Sequence, residues 1–243
     1  MVGKDLPDRS LEPALTGASM ARANRFDLEL AEDIVLVFDI SLLPKRSRSR
    51  RQRQATHPFR GVARLYDHVD MVVAAGPGAP VAAITMEFLA ALGARRVVAV
   101  GIAGGLTPQM THATAMPVAA AASDEGTSKH YVADHLRFES DAELLAALVK
   151  QTGRPGLTTL STDAPFRHTP DRLASHRERA TIVDMECSAL FAAAQTFDIR
   201  AAALLVVSDT FDDTGWHQSG SEQTAAALRD AADLAADVLG PGA

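Results

Sequence analysis

Residues 69–106, VDMVVAAGPGAPVAAITMEFLAALGARRVVAVGIAGGL, constrain the fold more than any other stretch of this chain. Val72 to Ala75 form a short apolar run without polar alternation, the pattern of a strand buried on both faces. Gly76-Pro77-Gly78-Ala79-Pro80 then reads as a turn, where glycine lets backbone amides approach a ligand or another strand closely. Pro80 suits the first turn of a helix, because the N–H it lacks would have no partner there. Val81, Ile84, Phe88, Leu89 and Leu92 repeat at helical spacing, and Gly93 sits where a helix-ending glycine belongs. Val97 to Val100 make a second buried strand, followed by Gly101-Ile102-Ala103-Gly104-Gly105, read as a second glycine-rich turn. Strand, helix, strand in this order is a βαβ unit. In an open α/β sheet, ligands bind beyond the carboxyl ends of the strands, which is where both turns lie.

The rest of the chain continues the alternation. Ile34 to Phe38, Val118 to Ala122, Gly156 to Ser161, Thr181 to Val183 and Ala201 to Val207 read as strands. Between them, Asp141 to Gln151, Pro170 to Arg179, Glu186 to Thr196 and Ser221 to Leu239 read as helices. This pattern predicts a single three-layer α/β/α domain over 31–243, around a mixed, largely parallel sheet. Residues 1–30 are polar without a clear period and are expected to form a loosely ordered arm unless a neighbouring subunit holds them. No apolar run approaches the length of a membrane span, and no signal-peptide pattern is present. Lone Cys187 rules out an intramolecular disulfide and suits a reducing cytoplasm. The net charge of −6 argues against general nucleic-acid binding. Against that background, Lys45, Arg46, Arg48, Arg50, Arg51 and Arg53 crowd six cations into a short segment. It is either a solvated loop or an anion clamp.

Three clusters at expected strand ends could carry chemistry. They are the two glycine turns, Met185-Glu186 after a short strand, and Ser208-Asp209 after the strand at 201–207. A carboxylate at the carboxyl edge of a sheet can bind the vicinal hydroxyls of a sugar. Glu186 could equally offset a helix macrodipole, and Asp209 could cap the segment that follows. His130 with Asp124 and Glu125 has no recognisable metal-ligand spacing, so no metal site is expected.

Taken in order, GPGAPVAAITMEFLAALG, VVAVGIAGGL, DEGTSKHY, STDAPFR, VDMECSALFAAA and LLVVSD resemble the nucleoside phosphorylase family. That family includes purine nucleoside phosphorylase, uridine phosphorylase and methylthioadenosine nucleosidase, and the resemblance covers roughly residues 70–240. DEGTSKHY is most similar to the uridine branch, and Ser208-Asp209 to the purine and nucleosidase branches, which implies purine-type or mixed specificity. The resemblance implies that Met185 and Glu186 hold the ribose and that Asp209 assists departure of the base as general acid. Phe166 and Ser208 would then contact the base, although Phe166 also fits an ordinary loop anchor. It implies further a cytoplasmic homo-oligomer, dimer or hexamer, whose site a neighbouring subunit completes; His57 is a possible donor. No cofactor is required beyond inorganic phosphate as co-substrate.

The departures from the family pattern are specific. Ala99 and Ile102 stand where phosphorylases carry a phosphate-binding Arg and a Ser or Thr. Asp39-Ile40-Ser41-Leu42 replaces the early Gly-Asp-Pro-x-Arg loop, and Arg167-His168-Thr169 follows Phe166 where a uracil-reading Gln and Arg are expected. Phosphate would then rest on Gly76, Gly78, Thr85 or the 45–53 arginines. Three readings follow: phosphorolysis, hydrolysis by water as in nucleosidases, or a non-catalytic nucleoside sensor. Phosphorolysis leads, and retention of both Glu186 and Asp209 argues against the sensor.

Overall fold

The apolar runs fold as strands and the amphipathic stretches as helices. The computed structural model describes residues 13–23, 29–42, 59–212 and 214–240. The first half comprises helix α1 (Gly17–Ala23), strands β1 (Asp33–Val37), β2 (Phe59–Tyr66) and β3 (Val69–Ala74), helix α2 (Ala79–Ala91), and strands β4 (Arg96–Gly105), β5 (Ala115–Asp124) and β6 (Arg137–Glu139). Helix α3 (Ala142–Thr152), β7 (Leu157–Thr162), α4 (Pro170–Arg177), β8 (Ile182–Asp184), α5 (Cys187–Thr196), β9 (Arg200–Asp212), β10 (Gly215–Gln218) and α6 (Ser221–Leu239) complete it. Helix boundaries follow local chemistry. Asp141 accepts from Glu143 N and Leu144 N to start α3, and Gly153, at φ 64°, ends it.

The sheet is mixed. β1 lies between β3 and β4, parallel to both, and β4 runs parallel to β9. β9 pairs antiparallel with β5, which leads through parallel β7 to β8. β8 then returns antiparallel onto the end of β4, Gly104 opposite Val183 and Gly105 opposite Ile182. Strands β4, β9, β5, β7 and β8 therefore close a circuit, while β2 and β10 extend β3 and β9 as antiparallel margins. Two apolar layers cover the sheet. One holds α2 and α5, whose buried alanines, among them Ala82, Ala83, Ala189 and Ala193, let the helices approach closely. The other holds α3 and α6 against Val35, Val37, Val98 and Val100. Burying a Leu or Met fully contributes about 1.5–3 kcal/mol, and Met86, Leu89, Leu148, Leu190 and Leu204 are all buried to that degree. At the far end of the sheet, Arg96 clamps Asp33 with two hydrogen bonds of 2.7 and 2.6 Å, pinning the β1–β4 register.

Two expected turns are strand instead. Gly101–Gly105 stays in β4, and Ser208-Asp209 does not break β9, which runs on to Asp212. The glycines are needed because three strands converge there. A Cβ on Gly105 would stand 2.7 Å from Met110 Cβ and 2.9 Å from Thr210 Cγ2. Strands β2, β6 and β10 also carry too little periodicity to be read from sequence. Within the expected arm, residues 17–23 are helical and Gly17 packs on the backbone of Glu87. The 45–53 arginines and His57 lie outside the described residues. Among those described, no helix is long and apolar enough to cross a membrane.

Candidate active site

The closure of β8 onto β4 opens a cavity of about 710 Å³ beyond the strand ends. Its wall takes Ile102, Ala103 and Gly104 from β4, and Val183 to Glu186 from β8 and the start of α5. The β9–β10 hairpin adds Ser208, Asp209, Phe211 and Trp216. Thr162, Pro165, Phe166 and His168 approach from the segment after β7, and Pro77 from the loop after β3. Five of the sequence-identified residues, Phe166, Met185, Glu186, Ser208 and Asp209, thus meet in one cavity.

Glu186 occupies the residue before α5. Its carboxylate accepts the Gly78 N–H at 2.6 Å and the Met185 N–H at 3.3 Å. Gly78 has φ 104°, a conformation that side chains disfavour, so the glycine loop is shaped to aim its amide at this carboxylate. Burial and then repulsion from Asp184 push Glu186 up to about 7. Asp184 itself is almost fully buried. It accepts from Glu186 N at 3.2 Å and Cys187 N at 3.4 Å, capping α5. Burial also raises Asp184, despite hydrogen bonds from Cys187 and Ser161. Two carboxyls this close in an apolar wall favour any ligand that brings partial positive charge or hydroxyl donors.

Asp209 owes its direction to a bulge. Ala103 pairs with Val207 but Gly104 pairs with Asp209, leaving Ser208 as the extra residue. Ser208 Oγ then donates to Asp209 Oδ1 at 2.5 Å, and lies 3.4 Å from Ala103 O. Trp216 Nε1 donates to Asp209 Oδ2 at 2.8 Å across the hairpin. Gly104 is required beneath this carboxylate, since a Cβ there would stand 3.0 Å from Oδ2 and 3.2 Å from Val183 Cγ1. Phe166, on a 3-10 turn over Pro165–Arg167, is 98% exposed and anchors nothing in the core.

The other expectations are placed differently. Gly78 spends its amide on Glu186, Gly76 is outside the cavity wall, and Thr85 is buried in α2, 1% exposed. No Lys or Arg lines the cavity among the described residues. Ala99 is buried in β4, whereas Ile102 presents an apolar side chain to the cavity, 51% exposed. In DEGTSKHY, Glu125 accepts from Ser123 Oγ and Ser188 Oγ, both at 2.9 Å, and from the amides of Thr127 and Ser128. Burial would raise this carboxyl, but those donors hold it below its ordinary value. The segment thereby ties itself to the first turn of α5. His168 is held low by burial, then by neighbouring His176, which favours the neutral imidazole. Sequence reasoning missed Asp184, Phe211 and Trp216. The acid in VDME was a usable signal for the first, but the two aromatics become visible only through the hairpin.

With this geometry in place, comparison with known proteins is decisive for the family. A family model described as the phosphorylase superfamily matches residues 43–240. The chain belongs to the phosphorylase superfamily. Superfamily relatives include a uridine phosphorylase of Thermococcus kodakarensis, 27% identical over 187 residues, covering 68% of this chain and 67% of that protein. Another is a guanosine phosphorylase of Halorubrum lacusprofundi, 27% identical over 149 residues, 58% of this chain and 62% of that one. A uridine phosphorylase of Treponema pallidum is 28% identical over 153 residues, 56% of this chain and 59% of its own length. The matches thus span about three-fifths to two-thirds of these relatives. Among solved structures, purine nucleoside phosphorylase from Toxoplasma gondii in complex with immucillin-H superposes with a TM-score of 0.75 at 17% identity, covering 87% of this chain and 91% of that one. Uridine phosphorylase from Vibrio fischeri gives 0.72 at 20% identity, over 87% and 92%. At these identities the superpositions establish the superfamily fold.

Proposed function

We propose that this chain cleaves the N-glycosidic bond of a purine-type nucleoside, passing the pentosyl group to phosphate and releasing the free base. The observation that carries the reading is the meeting of Glu186 and Asp209 in one aromatic-walled cavity. Glu186, anchored by Gly78, accepts hydrogen bonds from the sugar hydroxyls. The sugar becomes oxocarbenium-like as the C1′–N bond breaks, and the Asp184–Glu186 pair stabilises that developing positive charge. Asp209 delivers a proton to the departing base, whose ring lies against Phe166. Phosphate oxygen then closes the new bond at C1′, giving pentose 1-phosphate. Such general-acid help contributes about 10²–10⁴-fold. The proposal extends to a dimer or hexamer acting in nucleoside salvage in the cytoplasm.

A second reading, hydrolysis, is favoured by one specific observation. The described cavity wall offers no cation to phosphate and presents Ile102 instead of a hydroxyl donor. Phosphorolysis therefore draws its cations from the 45–53 arginines or from a second copy of the chain. Water needs neither. The shared core of both readings is tested by Asp209→Asn, assayed on inosine. Turnover should fall at least about 100-fold with the thermal midpoint unchanged, and unaltered turnover would refute the acid assignment.

A further inference from the structure

We infer that Trp216, the only tryptophan in the chain, is the positioning residue for Asp209 and acts through it on departure of the base. This inference rests on the function proposed above. Trp216 sits on β10, a four-residue margin strand whose positions are all exposed. A tryptophan 55% exposed on such a strand has little burial to justify it. Its indole does two things instead. It lines the cavity, and its Nε1–H reaches Asp209 Oδ2 at 2.8 Å. The hairpin register makes this reach possible, because Trp216 stands opposite Phe211 and Gln218 opposite Asp209. The indole therefore crosses diagonally toward the acid. Ser208 holds the other oxygen, Oδ1, at 2.5 Å.

With one donor on each oxygen, the plane of the carboxyl group is fixed at two points. Each oxygen keeps a second lone pair, the one that can carry the proton passed to the base. Removing the Oδ2 donor leaves the carboxyl held by the Ser208 hydrogen bond alone, in the bulged stretch of β9 with Gly104 beneath it. Misplacing a catalytic group by about 1 Å costs up to about 100-fold in rate. Phe at this position keeps an aromatic wall but has no N–H to donate.

The experiment compares Trp216→Phe with the parent protein on two ribosyl donors, inosine and p-nitrophenyl β-ribofuranoside. The nitrophenolate leaves readily without protonation, so its release does not depend on Asp209. For Trp216→Phe, kcat on inosine should fall about tenfold or more with KM changed less than about twofold, while release of nitrophenol stays within about twofold of the parent. Asp209→Asn should show the same split. An inosine rate equal to the parent's, or equal losses on both donors, would overturn the inference, the second because it signals a merely structural hairpin. A second readout uses no turnover. Emission from the sole tryptophan should shift in Asp209→Ala, and an unchanged spectrum counts against the contact. A parent protein inert toward both donors would overturn the proposed function, and this inference with it.

Discussion

Replacing Glu186 with Gln should flatten part of the pH dependence of stability, and the size of the effect follows from the structure. Burial and repulsion from Asp184 raise Glu186 from 4.5 to about 7. Between those values the folded protein holds a proton that the unfolded chain releases. Stability conferred by the neutral carboxyl is therefore complete below pH 4.5 and drains away as pH rises toward 7. Each tenfold difference in proton affinity is worth about 1.4 kcal/mol, so the interval corresponds to at most about 3.5 kcal/mol. Gln keeps an oxygen for the Gly78 N–H and never ionises. It also removes the charge that Asp184 opposes. Chemical denaturation of both proteins at pH 5 and pH 8 is the assay. The variant's stability relative to the parent should improve by about 2–3 kcal/mol from the lower to the higher pH, while its sugar binding and turnover decline together. A stability difference that does not change with pH would refute the account of a strained, buried carboxylate pair.

Two further outcomes test the frame around the site. Gly104→Ala places a methyl 3.0 Å from Asp209 Oδ2; overpacking of this kind costs about 1–3 kcal/mol, so the thermal midpoint should drop along with turnover. Unchanged values of both would show that the close approach is not required. Glu125→Ala leaves the Thr127 and Ser128 amides without their carboxylate acceptor, at a cost of about 1–3 kcal/mol. Because those donors lower the Glu125 carboxyl, the parent's advantage should be full above pH 4.5 and disappear in stronger acid, a trend that denaturation at pH 7 and pH 3.5 would reveal or contradict.

Much of the fold was legible because its strands are continuous apolar runs and its helices carry a clear period. Val97 to Val100 and Ala201 to Val207 are buried on both faces as read, and so is the run read from Val72 to Ala75 as far as Ala74, Ala75 being exposed beyond the strand. What misled was glycine. Gly101–Gly105 has the composition of a turn, but here glycine answers a steric demand set by β8 and β9, elements remote in sequence. Ser208-Asp209 likewise resembles a strand end, whereas the bulge lets the strand continue while turning both side chains into the site. The candidate site was legible at Glu186 and Asp209, where a carboxylate comes after an apolar run. Trp216 was not legible. Nothing local marks an exposed tryptophan as the partner of an acid seven residues back, and only the hairpin register joins them. Phosphate ligands at Gly78 and Thr85 were expected from motif position alone, and folding commits the first to Glu186 and the second to the core.

The central claim is tested most directly by release of free base from inosine, adenosine, uridine and methylthioadenosine, each with and without phosphate. The account predicts release of a purine base that depends on phosphate, with pentose 1-phosphate formed in equal amount. Purine release indifferent to phosphate would move the chain to the hydrolytic reading, in keeping with Ile102 and the absence of Lys and Arg from the cavity wall among the described residues. Absence of base release from all four nucleosides under both conditions would contradict the account.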